Sequence, residues 1–386
     1  MLVNSRAWIA YGFVALGTVY AAFLLFNIVT LQKFTSPEWP HVGSDAASPG
    51  KIASDSLNNV PDIVNPSKTS SFGTSLSLPT DLLSPTSKPA VNSIASALNT
   101  PPSILPTLAI ATFLTGQATD DLYYNSTRLL VYQLLHAPET RIKNPALTFV
   151  VLCGNKLPEH KKQQLRSDGA TVIPLDDVQL PDWIHTNEAR WSEQFTKLRV
   201  FELEQYKRIL YIDADYLIMH PLDDIFEDPI VTSLTPTLFT RENEIQEDEG
   251  PLPKEWLFAA RCENGAQGGF DHFVPPLQNN YANAGFFLIA PDRAMYDYLI
   301  AVMHIKGRFS TQYMEQDMLN YIFRRNGPMP WRELNWKWSA NFVNDRDVQN
   351  GVHSLHGKFW KEGPKIVQER WKQLMQQRMD WETKRQ

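Results

Sequence analysis

Between residues 107 and 213 the chain alternates short apolar runs with longer amphipathic or polar stretches, and no other feature limits its fold as tightly. LAIATFL (108–114), LTFVVLC (147–153), ATVIPL (170–175) and RILYID (208–213) read as strands. Between them, LYYNSTRLLVYQLL (122–135) carries apolar residues at helical spacing, and PEHKKQQLRSDG (158–169) reads as a polar helix closed by Gly169. WSEQFTKLRVFELEQY (191–206) is expected to be a third helix. Strands alternating with helices give an α/β fold, a mostly parallel sheet flanked by helices. Ligands of such sheets bind beyond the carboxyl ends of the strands.

Two carboxylates stand at one such end. Asp213 and Asp215 follow the apolar run Ile209–Ile212, and Leu217, Ile218 and Met219 resume it. An unpaired buried carboxylate costs several kcal/mol, roughly, even after relaxation, so something must compensate for it. Residues i and i+2 of an extended chain point the same way, so the two side chains can converge on one point. A divalent cation is the natural occupant, since oxygen ligands suit manganese or magnesium (Mn2+ or Mg2+) and such ions bridge to phosphates. The alternative is a pair of ordinary carboxylates at a loop start. A phosphatase of the haloacid dehalogenase type would also place Asp-x-Asp after an apolar strand, but that motif belongs to the first core strand.

Further along, RENEIQEDEG (241–250) reads as a solvated charged loop, NAGFFLIAP (283–291) as another buried strand, and DRAMYDYLIAVMHI (292–305) and MEQDMLNYIFRR (314–325) as helices. GVHSLH (351–356) reads as a short strand, and the stretch 366–385 as an amphipathic helix.

The order of these motifs resembles glycosyltransferase family 8, the glycogenin-like retaining transferases, from about Leu108 to Trp360. FTKLRVFELEQYKRILYIDADYLIMHPLDDIF (195–226) is similar to that family's Lys-Leu helix, Asp-x-Asp strand and following turn. NAGFFLIAP, EQDMLN and HSLHGKFW resemble its Asn-Ser/Ala-Gly, Asp-Gln and closing His…Lys-Pro-Trp segments, with Glu315 in place of Asp and Phe359 in place of Pro. Residues 228–257 stand as an insertion relative to it.

The resemblance implies a GT-A type fold for nucleotide-diphospho-sugars. It implies a UDP-sugar donor (GlcNAc, glucose or xylose-like) and a glycan or glycolipid acceptor. Asp213, Asp215 and His353 would be metal ligands, with His356 the competitor of His353. Asp213 and Lys197 would also touch the donor, Lys358 would pair with the diphosphate, and Thr112 and Tyr124 would begin the nucleotide pocket. Asn283, Glu315 and Gln316 would face the transferring sugar as the catalytic group. A non-catalytic glycan-binding protein on the same fold is the competing class.

The amino-terminal part has a different character. Residues 7–32 carry no charge, and a helix of about 20 residues crosses a bilayer. The apolar run exceeds that of a cleaved signal peptide, so an uncleaved signal-anchor is expected. Arg6 before it and Lys33 after it give only a slight lean to a cytosolic tail at 1–6. Residues 33–106, rich in Ser, Thr and Pro, are expected to form a disordered stem, a spacer open to O-glycosylation. The catalytic domain would span 107–386 in the Golgi lumen, a type II layout similar to fungal Golgi N-acetylglucosaminyltransferases. The formal net charge of −6 argues against nucleic acid as a partner. Two cysteines, Cys153 and Cys262, are too few for a disulfide framework, and one bridge or two buried thiols remain open. Asn125-Ser126-Thr127 is a glycosylation sequon.

Overall fold

The computed structural model describes residues 107–116, 121–185, 189–265 and 268–385. All of them lie in the unit Ala90–Gln386. The tail, anchor and stem expected at 1–106 fall outside the described residues. Among the described residues, no helix is long and apolar enough to cross a membrane.

The elements run β1 (Leu108–Leu114), α1 (Leu122–Leu135), β2 (Leu147–Gly154), α2 (Glu159–Ser167), β3 (Thr171–Leu175), α3 (Ala189–Glu193) and β4 (Arg208–Ile212). Then come β5 (Tyr216–Ile218), β6 (Thr235–Pro236), β7 (Glu255–Trp256), β8 (Phe258–Cys262) and β9 (Ala282–Ile289). The rest are α4 (Arg293–Met303), α5 (Glu315–Ile322), β10 (Arg332–Glu333), α6 (Asp345–Gln349), β11 (Ser354–His356) and α7 (Lys365–Thr383).

Among the described residues, seven strands form one mixed sheet in the order β10-β8-β9-β4-β1-β2-β3. β3, β2, β1 and β4 are parallel neighbours, and β9 runs antiparallel between β4 and β8. The central strands are buried along nearly their whole length, which is why they read as unbroken apolar runs. Alternate residues face opposite sides. Ala109, Ala111, Val150, Leu152, Ile209 and Phe287 meet Phe195, Leu198 and Leu299 on one face. Leu108, Ile110, Phe149, Val151, Leu210 and Phe286 meet Leu130 and Leu134 of α1 on the other. The chain leaves β1 for β2 on one side and returns as β4 on the other, which makes the β1/β4 boundary a topological switch point.

Three expectations need correction. The stretch 191–206 is not a regular α-helix; α3 runs into a 3-10 helix, Gln194–Glu202. Phe195, Leu198 and Phe201 are all buried three residues apart, the period of that tighter winding. The charged segment 241–250 is not wholly solvated. Glu249 is buried, accepts hydrogen bonds from the Tyr298 and Tyr321 hydroxyls, and lies 3.3 Å from Arg308 Nη1. It ties the insertion to α4 and α5. Cys153 and Cys262 are both buried with no disulfide between them. The sequon lies inside α1, where Ser126 and Thr127 are buried and Thr127 donates to the Tyr123 carbonyl.

Candidate active site

β4 ends at Ile212, and the next N–H, that of Asp213, donates to the Gly285 carbonyl of β9 at 2.9 Å. The Asp213 carboxylate is thus held where β4 and β9 meet at the sheet rim. Its Oδ1 accepts from the Tyr211 hydroxyl at 2.9 Å and from Lys197 Nζ at 3.1 Å. Tyr211 sits two residues before Asp213 on the same strand face, a partner that strand alternation could have shown in advance.

The third member of the cluster is His356. β11 pairs antiparallel with β5, setting His356 opposite Tyr216, the residue after Asp215. The Tyr216 and His356 rings stack at 4.6 Å, and Nε2 points at Asp215 Oδ1 (3.2 Å) and Asp213 Oδ2 (3.8 Å). One ligand atom from each of Asp213, Asp215 and His356 lies within 4.8 Å of the others. Burial disfavours charge on this histidine, but Asp215 and Asp213 outweigh it and raise the His356 pKa. Burial likewise pushes the Asp215 carboxyl up, yet His356 and Lys358 hold it below its ordinary value.

The expected ligand His353 is elsewhere. Three residues along an extended strand reverse the side-chain direction and advance the chain by about 10 Å. His353 therefore turns away, with Nδ1 2.9 Å from the Pro221 carbonyl and its ring against Trp338. Burial lowers its pKa, so it stays neutral.

Lys197, from the 3-10 helix, bridges Asp213 and Glu315, with Nζ 2.7 Å from Glu315 Oε1. Burial opposes its charge, but Asp213 and Glu315 raise its pKa above the usual lysine value. Glu315 is buried, and its Oε2 has no hydrogen-bond partner among the described residues. Met314, at φ 55°, holds a backbone conformation costly for a side chain of its size and turns the chain into α5 just before Glu315.

The other expected residues divide. Gln316 and Asn283 are close by but engaged with the protein. Gln316 Oε1 accepts from the Ala284 N–H and its amide donates to the Tyr281 hydroxyl. Asn283 Oδ1 accepts from the Gly285 N–H and Nδ2 donates to Glu263. Of the three catalytic candidates, Glu315 keeps an unused oxygen. Lys358 lines a cavity of ≈ 190 Å³ with Asp215, Asn283 and His356. Thr112 is fully buried on β1, on the strand face that meets α1, and its Oγ1 is unpartnered among the described residues. Tyr124 faces α2, where Lys161 Nζ lies 4.9 Å over its ring. Neither is brought to the aspartates.

Sequence reasoning missed Glu263, which lines the same cavity, and the purpose of Gly285. A Cβ on Gly285 would lie 2.6 Å from His356 Cε1 and 2.9 Å from Asp213 Oδ2, so the cluster closes only over glycine. Two carboxylates and one imidazole on a common point form a donor set that fits manganese or magnesium.

No protein-family model matches the chain. An uncharacterised protein of Schizosaccharomyces pombe is 32% identical over 278 residues, 63% of this chain and 71% of its own length. Galactinol synthase 4 of Arabidopsis thaliana is 26% identical over 185 residues, 47% of this chain and about half (52%) of its own length. Among solved structures, the galactosyltransferase LgtC with donor and acceptor sugar analogues is similar at 16% identity and a TM-score of 0.40, over 70% of this chain and 95% of that one. Mouse xyloside xylosyltransferase 1 is similar at 15% identity and a TM-score of 0.41, over 67% and 99%. The chain belongs to the same family as the Schizosaccharomyces pombe protein, and its homologues include the galactinol synthases.

Proposed function

We propose that this chain is a retaining glycosyltransferase. It moves a sugar from a UDP-sugar to a glycan or glycolipid acceptor, with manganese or magnesium held by Asp213, Asp215 and His356. The observation that carries this reading is the meeting of those three residues with Lys197 and Glu315 at the carboxyl end of β4, beside the switch point. Homology to the galactinol synthases supports it.

The residues divide the work by charge. A bound divalent cation supplies Lewis-acid neutralisation of the departing diphosphate. Lys358, on the cavity wall, adds a point charge for phosphate. Lys197 keeps Asp213 and Glu315 ionised and fixed. Glu315 presents its unpaired Oε2, an anion suited to the positive charge that develops on a transferring sugar. Gln316 and Asn283 position this wall by holding α5 and Glu263 to β9. The body is read as lumenal in the Golgi, carried by the apolar segment 7–32 and the stem 33–106.

The test is UDP release from a panel of UDP-sugars, with manganese and then with chelator. The expected outcome is metal-dependent release from one donor, reduced at least about 100-fold in Asp215→Asn. Equal turnover in that variant would overturn the mechanism. Absence of both turnover and UDP binding would favour a non-catalytic glycan-binding protein.

A further inference from the structure

We propose that Phe342 and Phe270 form an aromatic platform that stacks against a sugar ring of the acceptor. This rests on the glycosyl-transfer reading, and it names a saccharide, rather than a lipid or a protein side chain, as what receives the sugar.

Both rings line the cavity of ≈ 190 Å³ that reaches Asp215 and His356. Ligand pockets usually measure roughly 300–1,000 Å³, so this one suits a single ring. Its walls differ in kind. Phe342 and Phe270 stand on one side, 37% and 58% exposed, with ring centroids 5.2 Å apart and planes at 66°. Glu263 and Asn283 supply a carboxylate and an amide. A pyranose is divided in the same way. Its C–H groups lie on the ring faces and its hydroxyls project from the rim. The electron-rich face of an aromatic ring attracts polarised C–H groups. Glu263 Oε2 holds Asn283, while Oε1 is buried and unpartnered among the described residues. A buried acceptor left without a donor is costly, and a sugar hydroxyl is a donor of the right kind.

The platform is built rather than incidental. Phe342 has φ 52°, a conformation bulky residues avoid unless their surroundings enforce it. Those surroundings are present. Asn341 Oδ1 accepts from the Asn264 N–H at 2.7 Å, its Nδ2 donates to the Cys262 carbonyl at 3.0 Å, and Asn264 Nδ2 donates to the Asn341 carbonyl at 3.0 Å. The ring lies over Gly265, where a Cβ would come within 3.1 Å of Phe342 Cε2. Two residues earlier, the Ala340 carbonyl accepts from the His356 N–H at 2.9 Å. The strand that carries Phe342 is thereby bonded to the residue that completes the aspartate cluster. An apolar side chain held in a strained, half-exposed pose beside that cluster has a binding role.

The test uses the full chain and saturation-transfer NMR with methyl glycosides of glucose, galactose, mannose and xylose, with glycerol as control. Ring C–H protons of at least one glycoside should receive saturation. The affinity should fall about tenfold in Phe342→Ala and recover in Phe342→Trp, with Phe270→Ala as a second variant. Retained circular dichroism and UDP binding report that each variant is folded. No signal from any glycoside, or equal signals in wild type and Phe342→Ala, would overturn the platform. Saccharide binding through Phe342 without turnover of any UDP-sugar would leave the platform standing and remove the transferase reading. Turnover with an acceptor KM unchanged by Phe342→Ala would do the reverse.

Discussion

Lys197 is the hinge of the local electrostatics. It is buried between Asp213 at 3.1 Å and Glu315 at 2.7 Å, so three charges that would each be costly alone stabilise one another. The remaining acid of the cluster, Asp215, leans on His356. That histidine and His353 differ by three positions and by strand face, which makes them a clean pair for experiment. His356→Ala should weaken manganese binding by roughly 10–100-fold, the range seen when a metal-site residue or its support is removed. His353→Ala should leave manganese affinity unchanged, since its ring meets Pro221 and Trp338 instead. Calorimetric titration of manganese with UDP checks both. Equal losses in the two variants would mean that the β5/β11 register is not the one described.

Among the elements, α6 and its cap show how a short helix holds the loop opposite it. Asn344 and Asp347 form a capping box, and Asp347 Oδ1 lies 3.1 Å from Nε2 of the fully buried His272. Burial disfavours the His272 cation, but the hydrogen bonds to Asp347 and the Gly269 carbonyl prevail and raise its pKa above 6.5. The native state then holds the proton more tightly than the unfolded chain does. Its contribution to stability is complete below the unfolded value, near 6.5, and is lost as pH rises through the higher native value. Urea midpoints should therefore fall between pH 6 and pH 8 in the wild type. His272→Gln should flatten that dependence, and an unchanged slope would show that His272 titrates alike in both states. The same loop carries Phe270, so this pair also steadies the cavity wall.

At the scale of the whole molecule, a mixed sheet with a core on each face sets the rim at which β4, β9 and β5 converge. The insertion adds Glu249, whose bonds to Tyr298 and Tyr321 brace α5 from the end away from Glu315. The segment 7–32 belongs to this scale too, because it decides where such a body works. In microsomes from cells expressing the full chain, the body should resist added protease until detergent is present. Digestion without detergent would place the body on the cytosolic side and overturn the type II reading.

The sequence by itself determined what depends on local pattern. The strands β1, β2, β4 and β9 are runs buried on both faces, so their apolar continuity was visible, as was the helical spacing of α1 and α7. Asp213 and Asp215 were legible because two residues on an extended chain share a direction. Only the tertiary structure decided what depends on distant partners. The register of β11 against β5 chose His356 over His353. The antiparallel entry of β9 brought Gly285 and Asn283 to the rim. The fixed positions of Ala284, Tyr281, Gly285 and Glu263 engaged Gln316 and Asn283 and left Glu315 with a spare oxygen. Side-chain direction within an element follows from backbone geometry, which a sequence carries. Contact between elements follows from how the sheet is ordered and packed, which no local pattern records.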